Sequence, residues 1–141
     1  MATMHKNLEI KGQLFYCADM VRFNQFTEEK KKYVAHIGQL DDQTVETLTN
    51  MGIHVGTHDV KGRFIDCKSK FVQRAFEKNG GELDPLTIGN GTKCTAEVAP
   101  YQWKFGNKSG FNASLKKLTV TELIKYDPST NNAEEEADDI L

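Results

Sequence analysis

Cysteine and proline each occur only three times in these 141 residues, and tryptophan once. Cys17, Cys67 and Cys94 are an odd set, far apart and without a CxxC pair. That pattern argues against a disulfide framework or a zinc site, and for buried thiols in a reducing compartment. No apolar run approaches the ~18 residues of a membrane-spanning helix. The opening MATMHKNLEI lacks the apolar stretch of a secretory signal. A cytoplasmic protein is expected. Catalytic signatures are missing as well. GNGTK lacks the Gly-Lys-Ser/Thr order of a phosphate-binding loop, and no GxSxG occurs. His54 and His58 flank Gly56 with no matching Cys or His pair, short of a zinc set. The expectation is a non-enzyme, with no catalytic residue, no cofactor and no metal.

What the chain does have is an uneven distribution of charge. Lys and Arg number 18 and Asp and Glu 20, for a net charge of -2. Six of the acids (Asp127, Glu134, Glu135, Glu136, Asp138 and Asp139) fall between Asp127 and Leu141, a stretch without a base. The remainder therefore holds 18 basic against 14 acidic residues, or +4. The expected organisation is a folded body over residues 1–126 and a flexible acidic tail over 127–141. A basic body points to nucleic acid as a partner.

Short stretches of alternation dominate the body. Leu8, Ile10, Gly12, Leu14 and Tyr16 alternate as in a strand with one buried face, and Gly12 suggests a bend. KYVAHIGQL reads as a second strand. Asp41 or Asp42 then caps a short helix through Val45 and Leu48, which Gly52 ends. A third strand is expected around Arg63 to Lys68. In FVQRAFEKNGG, Phe71, Val72, Ala75 and Phe76 share one face of a second helix, stopped by Gly80–Gly81. Cys94, Ala96 and Val98 alternate in a fourth strand that runs through PYQWKF, with Pro100 marking an edge or bulge. GNKSGFN reads as a loop, and ASLKKLTVTELIKY as a fifth strand. Five strands, with a helix between the third and fourth, indicate a mostly β protein: a five-stranded OB-fold barrel with one or two short helices.

An OB-fold grips its ligand between the strand 1–2 and strand 4–5 loops, over the face of strands 2 and 3. Here both loops interleave aromatic and basic residues. In PYQWKFGNKSGF, Tyr101, Trp103 and Phe105 alternate, with Lys104, Lys108 and Phe111 between or after them. The first connection supplies Arg22, Phe23, Phe26, Lys30, Lys31 and Lys32, and the third strand adds Lys61, Arg63 and Phe64. Aromatic faces stack on bases of any identity, at ~1–3 kcal/mol per base, while Lys and Arg track the phosphates. That mixture fits sequence-independent binding of single strands. An RNA-binding, cold-shock-like module and a protein–protein adaptor with these aromatics in its core are the alternatives. The tail, a tethered anionic segment, suits competition for the same phosphate track. Its Ile140 and Leu141 suit docking into a partner.

Taken in order, KGQLFYCADM, KKYVAHIGQLDDQTVETLTNMGI, IGNGTKCTAEV, YQWKFGNKSGFNASLKKLTVTELIKY and the acidic tail resemble the single-stranded DNA-binding proteins of podovirus-type bacteriophages. The resemblance implies an OB-fold that coats single-stranded DNA in replication and recombination, in the cytoplasm of the infected host cell. It also implies a tail that recruits replication partners such as polymerase and helicase-primase, and a role in homodimer formation. Such tails commonly finish in an aromatic residue. This one finishes in Ile140–Leu141.

Overall fold

A computed structural model describes residues 7–23 and 31–126, with Trp103 described by its backbone alone. Nine elements follow one another: β1 (Leu8–Phe15), β2 (Tyr33–Gly38), α1 (Asp42–Asn50), β3 (Gly56–His58), β4 (Gly62–Ser69), β5 (Ala75–Glu77), β6 (Glu82–Leu83), β7 (Thr92–Phe105) and β8 (Lys108–Glu122). Single 3-10 turns lie at Cys17–Met20 and Pro85–Thr87. The strands form one curled sheet in the order β3-β4-β2-β1-β7-β8-β5-β6. Among the described residues it does not close by hydrogen bonds, although β4 and β8 lie against each other. No helix among them is long and apolar enough to cross a membrane.

The OB arrangement follows from the double use of β1. Leu8 to Leu14 pair with Val98 to Thr92 on β7, and Gln13 to Phe15 pair with Gly38 to His36 on β2. A strand shared this way must bend sharply between its partners, and Gly12 and Gly38 allow it. A Cβ on Gly12 would lie 2.8 Å from the Ile37 side chain, and one on Gly38 would collide with the Lys61 carbonyl oxygen. Inside the curl, Ile10, Leu14, Ala35, Ile37, Ile65, Cys67, Cys94, Ala96, Val98 and Leu118 are buried. Each Leu, Ile or Val among them stabilises the fold by ~1.5–3 kcal/mol. Leu48 of α1 plugs the same core. Asp41 caps that helix, its carboxylate accepting from the Thr44 N–H at 2.7 Å.

The five expected strands correspond to β1, β2, β4, β7 and β8. Three short strands, β3, β5 and β6, were not expected. The helix expected between the third and fourth strands, over Phe71–Phe76, is absent, whereas the short helix expected after the second strand is present as α1, between β2 and β3. Tertiary hydrogen bonds decide the matter. Buried Gln73 donates from its side chain to the Tyr33 carbonyl at 3.2 Å and the Cys67 carbonyl at 2.8 Å, and its backbone N–H donates to Met20. These bonds hold the segment extended, and it continues into β5, which pairs parallel with β8 at Phe76↔Thr119. The GNKSGFN loop is likewise shorter than expected. Only Gly106–Asn107 turn, with Gly106 at φ +60°, and Lys108 already begins β8.

Candidate nucleic-acid interface

Beyond Val98, among the described residues β7 pairs with β8 alone. Residues 99–114 therefore form a two-stranded arm. Pro100, which has no N–H to offer, sits where one edge of the arm lacks a strand among the described residues. Tyr101 and Phe105 lie on one side, opposite Asn112 and Lys108 in the ladder, with the Trp103 backbone paired to Gly110 between them. Tyr101 is 60% exposed and Phe105 81%, and Lys104 and Lys108 are exposed beside them. On the other side Phe111 packs its ring over Gly52 at the end of α1 and bridges to Ile53. One side of the arm is thus anchored and the other displayed. From Val98 to Thr121 the chain carries Lys104, Lys108, Lys116 and Lys117 and no acid.

The outer face of β2 and β4 has a different character. His36 on β2 stands opposite Asp66 on β4. Its Nδ1 contacts Asp66 Oδ1 at 2.8 Å, and its Nε2 contacts Asp19 Oδ2, from the Cys17–Met20 turn, at 2.7 Å. With a carboxylate on each nitrogen both can donate only as the imidazolium, a charge that the Lys61 ammonium, 3.2 Å from Nδ1, opposes. Burial disfavours that charge, but the bonds to Asp19 and Asp66 outweigh it, so the His36 pKa rises above its ordinary value. Burial alone would raise Asp66; His36 and Lys61 outweigh it and hold its pKa below the usual carboxylate value. Lys61 Nζ shares Asp66 Oδ1 at 3.4 Å and lies 3.8 Å from the centre of the Phe64 ring. Tyr16, in a left-handed backbone conformation (φ +49°), turns its ring edgewise to His36 at 5.7 Å and His58 at 6.5 Å. With His36 protonated, Asp19, His36, Asp66 and Lys61 sum to zero charge, and together they clasp the start of the strand 1–2 connection to the sheet.

No protein-family model matches the sequence, and no curated protein matches it. Solved structures do. The single-stranded DNA-binding protein from bacteriophage Enc34 in complex with ssDNA aligns with a TM-score of 0.57 at 11% identity, covering 86% of this chain and 93% of that one. The Enc34 protein also matches over 94% and 97% of the two chains, with a TM-score of 0.56 and 12% identity. So does gp2.5, the single-stranded DNA-binding protein encoded by bacteriophage T7, over 94% and 95%, with a TM-score of 0.53 and 11% identity. This chain has the fold of phage single-stranded DNA-binding proteins. At such identities the likeness fixes the fold, and the surface must be read from the residues.

Within that fold the predicted residues fall into distinct groups. Tyr101, Lys104, Phe105 and Lys108 share the arm. Arg22 and Phe23 lie at the other end of β1, some eight residues or ~25 Å away along a strand, with the Phe23 ring 4.8 Å from that of Tyr33. Arg22 also lines a cavity of about 240 Å³ with Tyr16, Pro85 and Tyr126. Lys31 is exposed and Lys32 half-buried. Arg63 is exposed on β4, and Phe64 is half-buried over Gly56. Lys61 does not reach solvent as a phosphate contact should: it is 5% exposed, because Asp66 and the Phe64 ring hold its ammonium inside. Phe111 serves as the arm's anchor. Phe26, Lys30, the Trp103 side chain and the whole tail, Glu134, Glu135, Glu136, Asp138, Asp139, Ile140 and Leu141 included, lie outside what is described. The sequence reading missed Tyr16, Asp19, His36, Asp66 and Tyr33, whose grouping depends on strand pairing and has no local signature.

Proposed function

We propose that this chain is a sequence-independent, non-enzymatic single-stranded DNA-binding protein of phage replication and recombination, acting in the cytoplasm of the infected host cell. The observation that carries the reading is the arm: exposed aromatics alternating along one side, lysines beside them, and no acid over 24 residues from Val98 to Thr121. An exposed Phe or Tyr gains nothing for folding from where it stands. Stacked on a base it is worth ~1–3 kcal/mol. Phe23 and Tyr33 at the far end of β1 supply a second grip, and the neutral His36 clasp between them keeps fixed negative charge off the face. The fold neighbour from Enc34, solved in complex with ssDNA, supports the same assignment. The acidic tail over residues 127–141 competes with DNA for the basic surface, recruits polymerase and helicase-primase, and contributes to a homodimer.

Trp103 is the only tryptophan and lies in the middle of the arm, so its fluorescence is the direct probe. Poly(dT) should quench it, with an affinity that falls with salt at a slope of about -0.7 per phosphate contact. Unquenched fluorescence together with no salt-sensitive binding would sink the proposal. A matched oligo(U) that displaced the DNA at lower concentration would move the reading to RNA.

A further inference from the structure

The surface between β4 and β8 combines the ingredients of the arm with none of its recognition in the sequence. Phe71 is 78% exposed and Val72 49%. They are held in that state: the Phe71 N–H donates to the Ser69 hydroxyl at 3.0 Å, and buried Gln73 ties the next residue but one to two carbonyls. From Cys67 to Phe76 the chain carries Lys68, Lys70 and Arg74 and no acid. Across from this segment, Val72, Arg74 and Phe76 share a groove of about 250 Å³ with Leu115, Lys116 and Lys117 of β8. Lys116 stands where the β7–β8 register jumps from Glu97↔Lys117 to Val98↔Leu115, so it has no cross-strand partner and the irregularity re-aims its side chain. Among the described residues the groove's cations have one ion pair, Arg74 with Glu82 at 3.8 Å, both side chains more than half exposed, and Glu97 stands across the ladder from Lys117. Two acid-free stretches, 67–76 and 98–121, thus face each other.

The groove is continuous with the arm at one end, where Leu115 follows the arm's last residue, Ser114. At the other end Ser69 pairs with Tyr33, the residue on which Phe23 stacks. It therefore joins the two aromatic ends of the interface by a route along β8, outside the β2–β4 face.

We propose that this groove and the exposed Phe71, which precedes Val72 of its lining, form a second single-stranded DNA subsite, in which Phe71 stacks on a base beside the groove and Arg74, Lys116 and Lys117 hold phosphates of a strand already engaged by the arm. The proposal rests on the DNA-binding reading above and adds a path for the strand. Its test uses the full chain and labelled oligo(dT) of about 5 and about 16 nucleotides, the two ends of the range that one OB-fold covers. Phe71→Ala should leave the short strand's affinity unchanged and weaken the long one on the order of tenfold. Lys116→Gln with Lys117→Gln should lower the long strand's salt slope by about 1.4, two phosphate contacts, and leave the short strand's slope alone. Failure of the parent protein to bind either strand refutes the DNA-binding reading itself. If the parent binds but both variants match it on the long strand, the subsite is refuted and the patch is a protein-docking surface. Equal weakening on both lengths also refutes it, because the groove is then part of the arm's own site. Phe71 is so exposed that its truncation leaves folding intact, and the lysine pair gives an independent reading.

Discussion

Asp66→Asn is the most demanding single test of the clasp on the outer face of β2 and β4. The substitution keeps shape and one acceptor oxygen but removes the charge that His36 and Lys61 share. In the native protein Asp66 Oδ1 lies 2.8 Å from His36 Nδ1 and 3.4 Å from Lys61 Nζ, with side chains only 11% and 7% exposed for the two cations. Leaving buried charge uncompensated costs about 3–5 kcal/mol. Asp66, 29% exposed at its side chain, belongs at the lower end, about 3 kcal/mol. At an m-value of about 1.5 kcal/mol/M the urea midpoint should fall by about 2 M near pH 6. The dependence on pH has a definite direction. A histidine whose pKa rises on folding adds stability that is complete below its ordinary value of 6.5 and is lost as pH climbs through the raised one. The carboxylate works in reverse: its contribution is present above its ordinary 3.8 and is lost as pH falls through the lowered value. The gap between parent and variant should therefore be widest between the two ordinary values, 3.8 and 6.5, and narrow in alkali, once His36 is neutral. Urea titrations from about pH 5 to about pH 10 measure it. Identical midpoints, or a gap that stays constant across that range, would refute the account of the clasp.

The remaining expectations follow from burial and exposure. Tyr101→Ala and Phe105→Ala should each keep stability within ~0.5 kcal/mol, since both side chains are exposed, yet each should cost ~1–3 kcal/mol of poly(dT) affinity by fluorescence titration. Gly38→Ala forces a methyl into the Lys61 carbonyl, backbone that cannot step aside, and should destabilise by about 3 kcal/mol in urea. Burial pushes the Cys67 and Cys94 thiols up to about 12 and Cys17 higher still. A thiol reagent at mildly alkaline pH should accordingly label none of the three until the protein is unfolded. A chain ending at Tyr126 should bind DNA more tightly at low salt and converge with the full chain at high salt, because it loses six competing charges.

What could be read in advance was whatever a segment decides by itself. Cys94, Ala96 and Val98 alternate because one side of β7 faces the core, and all three are buried. Asp41 caps α1 through a bond three residues away. The segment from Phe71 to Phe76 shows the opposite case. Its four apolar residues fit a helical face, but so short a pattern cannot exclude an extended chain, and Gln73's bonds to residues 40 and 6 positions earlier decide for the latter. Lys61 looked like any surface lysine because Asp66 and Phe64 matter to it only after the β3–β4 turn brings them round. The Asp19–His36–Asp66 set spans 47 residues of sequence and meets only across paired strands. For the arm, the Gly106–Asn107 dipeptide is itself a tight-turn signal, and the two strands extend through the rest of GNKSGFN to meet at it.

The sharing of β1 between β2 and β7 also sets a timetable for synthesis. Only three residues of β1 pair with β2, whereas seven pair with β7, at separations from 78 residues (Leu14↔Thr92) to 90 (Leu8↔Val98). At translation speeds of about 5–20 residues per second, the first strand waits roughly 5–20 s for its main partner to be made. During that wait Ile10 and Leu14 have no core to enter, and the edge that β7 will cover is open to any other strand. The main pairing of β1 thus comes late, only when the arm proposed to hold DNA leaves the ribosome.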